Sequence, residues 1–72
     1  MNGGGKMNWI RSNMHPLKGT KDAPEEYIVV VEGATASTTL YWDGDMWHDE
    51  EFTPYPVSYW MPLPAPPKEE RA

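Results

Sequence analysis

The chain has 72 residues, no cysteine, eight prolines and four tryptophans, and eleven acidic against six basic side chains leave it a net charge of −5. A chain of this length buries only about 60% of its unfolded surface, which allows one thin core and leaves no room for a second domain or a large catalytic pocket. Without cysteine there is no disulfide and no thiolate zinc site, and the longest aliphatic run, residues 28–31, is far short of the ~20 residues of a membrane-spanning helix.

Residues 1–8 contain Gly3-Gly4-Gly5, the backbone that loses most entropy on ordering, and are expected to be loose. No apolar stretch of signal-peptide length follows Lys6, so a cytoplasmic location is expected. Trp9-Ile10-Arg11 reads as a short first strand or anchor. Residues 11–26 hold Pro16, Gly19 and Pro24 without a helical period, which predicts a loop with one helical turn near Ala23-Pro24-Glu25-Glu26. Residues 27–31 are apolar on both parities, as in a strand covered on both faces. Residues 37–42 form the next strand. Asp43-Gly44 predicts a type I′ turn, and Met46-Trp47-His48 starts the returning strand. Residues 49–56, acidic and then carrying Pro54 and Pro56, read as loop, and residues 57–61 as the last strand. Residues 62–67 hold four prolines and are expected to run as polyproline II, with residues 68–72 frayed.

The expected fold is all-β: a small three- to four-stranded antiparallel meander over residues 9–67, with an aromatic core and a Pro-rich C-terminal segment. The expected core is Trp9, Ile28, Val30, Leu40, Trp42, Trp47, Val57 and Trp60. So thin a sheet does not enclose all nine aromatic residues, which leaves Tyr41, Phe52, Tyr55 and Tyr59 as candidates for partial exposure.

Several of these segments together resemble the phage and prophage family known as domain of unknown function 551. They are Trp9-Ile10, Glu26-Tyr27-Ile28-Val29-Val30-Val31, Tyr41-Trp42-Asp43-Gly44 with Trp47, and Val57-Ser58-Tyr59-Trp60-Met61-Pro62-Leu63-Pro64-Ala65-Pro66-Pro67. The resemblance spans about residues 9–67 and is most specific in the terminal Trp-Met-Pro-Leu-Pro-x-Pro-Pro. Tyr59 stands where the family carries histidine, and His15-Pro16 replaces a Leu-Pro at shifted spacing. The resemblance implies a phage accessory origin, for which host takeover or counter-defence is the expectation, and it implies no activity.

Charge is segregated. Residues 1–21 carry four cations and no carboxylate, whereas residues 22–67 carry nine carboxylates and no cation. Such a block repels nucleic-acid phosphates and attracts basic protein surfaces. Asp43, Asp45, Asp49, Glu50 and Glu51 crowd into nine residues, but their spacing does not match a calcium-binding EF-hand loop. His15 and His48 lie far apart in sequence, and no serine sits in a nucleophile-elbow context. No cofactor or metal and no enzymatic turnover are therefore expected. The reading is a small acidic binding protein whose partner is a host protein with a basic surface, most concretely a defence nuclease complex. Its contact residues would be Asp43, Asp45, Asp49, Glu50 and Glu51, with Tyr41, Phe52 and Tyr55 as aromatic anchors. The alternatives are an assembly module that self-associates, as in a homodimer, through a sheet edge, and a metal- or nucleotide-binding sensor.

Overall fold

A computed structural model describes residues 8–64. The expectations for the glycine-rich start and for residues 65–72, including docking of the Pro-rich tail, fall largely outside the described residues. The fold is all-β, with five antiparallel strands in one open sheet. They are β1 (Ile10–Arg11), β2 (Glu25–Val31), β3 (Thr38–Trp42), β4 (Trp47–His48) and β5 (Val57–Pro62). Their order is β1-β5-β2-β3-β4. Only β2, β3 and β4 follow one another as a meander, because β5 returns to the far side of β2 and separates it from β1. The expected count of three or four strands is exceeded because both edge strands, two residues each, form real ladders.

Strand alternation decides which side chains reach the core. In β2, Tyr27 and Val29 are buried, while Ile28 and Val30 are only half-buried on the opposite face. This corrects the expected core, since Ile28, Val30 and the half-buried Trp9 are not among its members. A run apolar on both parities gives no signal for which parity faces inward. The core is Tyr27, Val29, Leu40, Trp42, Trp47, Val57 and Trp60. Val57 and Trp60 lie three residues apart, and a regular strand would point them to opposite faces. A register shift between Val30 and Val31 turns both inward, with the Ser58 hydroxyl donating to the Val30 carbonyl at 3.0 Å.

The core rings meet at angles. Tyr27 stands edge-on to Trp60 and Trp47 at 5.0 and 5.7 Å between centroids, and Trp42 lies 5.1 Å from Trp47. Such pairs contribute about 0.5–1.5 kcal/mol each beyond area burial.

The long β1–β2 loop closes this face. The Trp60 indole N–H donates to the Met14 carbonyl at 2.7 Å, and the Tyr27 hydroxyl donates to the Lys18 carbonyl at 3.0 Å. The His15 ring lies 4.9 Å from that of Trp42, and Pro16 is buried. No helical turn forms at residues 23–26, where Glu25 already begins β2. Ala23 and Thr20 instead exchange backbone hydrogen bonds, and Pro24 feeds directly into the strand.

The opposite face presents Thr39 and Tyr41 of β3, Glu26, Ile28 and Val30 of β2, and Tyr59 and Met61 of β5, all half-buried or exposed. Trp9 lies beside Val30 and Tyr59 on this face.

Candidate functional site

The sequence places its carboxylates around the β3–β4 hairpin, and the structure divides them into two groups. The turn itself differs from the expected type I′. Trp42 pairs with Trp47, so Asp43 and Met46 close the hairpin around Gly44 and Asp45. Gly44 has a φ of 92° while Asp45 is not left-handed, so the two left-handed residues of a type I′ turn are not both present. Asp43 Oδ1 accepts the backbone N–H of Asp45 and of Met46, each at 2.9 Å. Its Oδ2 lies 3.6 Å from Lys21 Nζ and 3.7 Å from His48 Nε2. The Met46 N–H is the main cause that holds this carboxyl below the usual range. Burial opposes it, and the Asp45 N–H, Lys21 and His48 reinforce it. With its side chain 8% exposed, Asp43 is engaged inside the fold rather than presented at the surface. Asp45 is exposed and faces the same lysine at 3.6 Å.

The second group is built by Asp49. Its Oδ1 accepts the N–H of Glu51 at 2.8 Å and of Thr53 at 2.9 Å, and its Oδ2 accepts the Tyr55 hydroxyl at 3.3 Å. Asp49 and Thr53, and Phe52 and Asp49, are joined by backbone hydrogen bonds of 3.0 Å. The acidic loop is therefore a folded turn. The Thr53 N–H is the leading cause of a lowered Asp49 carboxyl pKa. At the end of this turn Phe52 adopts a φ of 64°, and it is 67% exposed. The left-handed region disfavours side chains that carry a Cβ, and a phenylalanine has no short polar group to compensate.

Between the two groups stands His48, 2% exposed. Its ring is stacked with Tyr41 at 5.9 Å and tilted against Phe52 at 4.9 Å. Nδ1 lies 2.8 Å from the Asp49 carbonyl, an acceptor, so Nδ1 carries the proton of that bond. Nε2 is buried without a hydrogen-bond partner.

Glu26, Thr39, Tyr41, Asp49, Glu50 and Glu51 line a cleft of about 320 Å³. A second hollow of about 190 Å³, formed by Pro24, Tyr41, His48, Asp49, Glu50 and Phe52, shares Tyr41, Asp49 and Glu50 with it. Glu26 is the largest cause raising the Tyr41 phenol pKa, followed by burial and Glu50. Among the described residues, no group of three histidine, aspartate or glutamate side chains is placed to hold a metal ion.

Compared with protein families, curated proteins and solved structures, the chain matches none. Of the eight residues named from sequence, Tyr41, Asp49 and Glu50 line both hollows, Glu51 and Phe52 one each, and Tyr55 braces the turn. Asp43 and Asp45 belong to the lysine-paired turn. Sequence reasoning missed Glu26, Thr39 and Pro24 and gave His48 no place in this site. Glu26 reaches it only because β2 pairs with β3 in a register that sets it opposite Tyr41. His48 sits opposite Tyr41 on the other side, so the three form one cross-strand row.

Proposed function

We propose that this chain is a non-catalytic binding module whose acidic, aromatic corner docks on a basic protein surface. The observation that carries the reading is the folded turn of residues 49–53. It sets Asp49, Glu50 and Glu51 beside Glu26 and Tyr41 and presents Phe52 to solvent in a left-handed conformation. A turn serving only solubility gains nothing from an exposed phenylalanine in that region, whereas exposed aromatic residues ringed by charge are the usual anatomy of an interface. The chemistry is steric and electrostatic, without turnover. The resemblance to a phage family supports a host protein in the bacterial cytoplasm as the partner, and a defence nuclease that grips nucleic acid through lysine and arginine fits the charge best.

Self-association through a sheet edge is less well supported. Both edge strands have two residues, and Pro54 bridges to His48 along the outer side of β4. Short edges and edge prolines discourage strand addition.

The test compares tagged wild-type chain with a Glu26→Gln/Glu50→Gln/Glu51→Gln bait, washed at low and high salt, followed by reconstitution with the purified captured protein. Asp49 is left intact because it builds the turn. A basic partner retained at low salt and lost both at high salt and with the variant is expected. Binding of the purified partner that neither salt nor the variant weakens overturns the reading.

A further inference from the structure

We infer that the open face of the sheet packs against the same face of a second copy of the chain, with a two-fold axis running along β2. The β1–β2 loop closes the face that holds Tyr27 and Val29. Among the described residues no second layer of strands lies across the other face. There Ile28, Val30 and Met61 are only half-buried and Tyr59 is 39% exposed. Trp9, Val30 and Tyr59 border an apolar hollow of about 100 Å³ on it. A strand apolar on both parities, as β2 is, belongs in a sheet covered on both sides.

The strand order and the charges point to a second copy as the cover. β2 is the middle strand of five, so an axis along it lays β2 on its own copy, β5 on β3, and β1 on β4. Ile28 and Val30 then meet their copies at the centre, with the two sheets aligned about 10 Å apart. Arg11 shares the open face with Tyr59 and Val30, its neighbours across the ladders. At the opposite edge β4 runs into the acidic turn, where Glu50 and Glu51 border Thr39 and Tyr41 of the same face. The axis therefore sets Arg11 of each copy toward Glu50 and Glu51 of the other. Among the described residues none of these three side chains has an ion-pair partner in its own chain. An axis across the strands would instead lay each acidic turn on its copy and oppose like charges. Glu26, at the start of β2, meets its own copy at the rim. So small a face supports a weak dimer. A basic partner of the kind proposed above would claim the same two carboxylates and bind at the dimer's expense.

The test is sedimentation equilibrium of the full chain from micromolar to near-millimolar concentration, with amide NMR of the 15N-labelled chain on dilution. A monomer–dimer equilibrium is expected, with dilution shifts centred on Ile28, Val30, Thr39, Tyr59 and Met61. Val30→Asp, checked for native spectral dispersion, should be monomeric. Arg11→Glu should loosen the dimer roughly tenfold, and mixing it with Glu50→Arg/Glu51→Arg should restore pairing as a heterodimer. Glu50→Gln/Glu51→Gln should loosen the dimer several-fold, whereas Glu26→Gln should tighten it. Opposite signs for two losses of negative charge separate this register from general repulsion between acidic chains. A monomer at every concentration overturns the inference. So do a dimer that Val30→Asp leaves intact, dilution shifts confined to the β1 or β4 edge, or tightening by Glu50→Gln/Glu51→Gln. All of this is measured on the chain alone, so the dimer and the docking on a basic protein can each fail without the other.

Discussion

Phe52 holds a backbone conformation that costs roughly 1 kcal/mol for a residue with a Cβ, and its ring recovers a similar amount against His48. Replacing it by glycine relieves the first and forfeits the second. Phe52→Gly should therefore leave the thermal midpoint within a few degrees of wild type while weakening partner binding. A large loss of stability would make Phe52 a packing residue and remove it from the interface. Asp43 and Asp49 behave differently, because each accepts two backbone N–H groups and has a lowered carboxyl pKa. A folded-state pKa below the unfolded value contributes stability that is present above the unfolded pKa and is lost as pH falls through the folded one. Acid unfolding should thus set in below about pH 4, the ordinary aspartate range. Asp43→Asn and Asp49→Asn should each flatten the pH dependence of the melting temperature there. An unchanged slope in both variants would show that neither carboxylate is better held in the folded chain than in the unfolded one.

The β1–β2 loop acts as the second layer of a one-sheet protein. It leaves no room for a side chain at Gly19, whose φ is 126° and where a Cβ would lie 2.3 Å from the Trp42 carbonyl oxygen. Gly19→Ala forces loop and sheet apart and should cost at least about 2 kcal/mol, or roughly 8–16 °C in the melting temperature of so small a domain. Near-wild-type melting would mean that the loop packs more loosely than its contacts with Trp42, Tyr27 and Trp60 imply. The strands themselves were largely legible in the residues. β-Branched and aromatic runs marked β2, β3 and β5, and Asp43-Gly44 marked the hairpin. The parity of β2 was hidden because Tyr27, Ile28, Val29 and Val30 are all apolar, and only pairing with Leu40 and Trp60 selects Tyr27 and Val29. The site was legible in part for the same reason. Glu50, Glu51, Phe52 and Tyr41 announce themselves by composition, while Glu26 joins them only through the register between β2 and β3.

At the scale of the whole molecule, the carboxylates that suit the chain to a cation also work against its own fold. Glu26, Asp49, Glu50 and Glu51 converge on one cleft, and the net charge of −5 offers little compensation. Their mutual repulsion is screened within about 10 Å at 0.1 M salt. Added salt should therefore raise the melting temperature of the free chain while it weakens binding of a basic partner. Glu50→Gln/Glu51→Gln should reproduce the first effect at low salt, by about 2–4 °C if the relieved repulsion is about 0.5 kcal/mol, and should remove most of the salt dependence of both. Opposite signs in the two measurements are the mark of a surface held under charge strain for a partner, since a merely solubilising surface would show the stability effect without the binding one. If salt left both unchanged, the clustering of these four carboxylates would have no energetic consequence, and the electrostatic account of the site would fail with it.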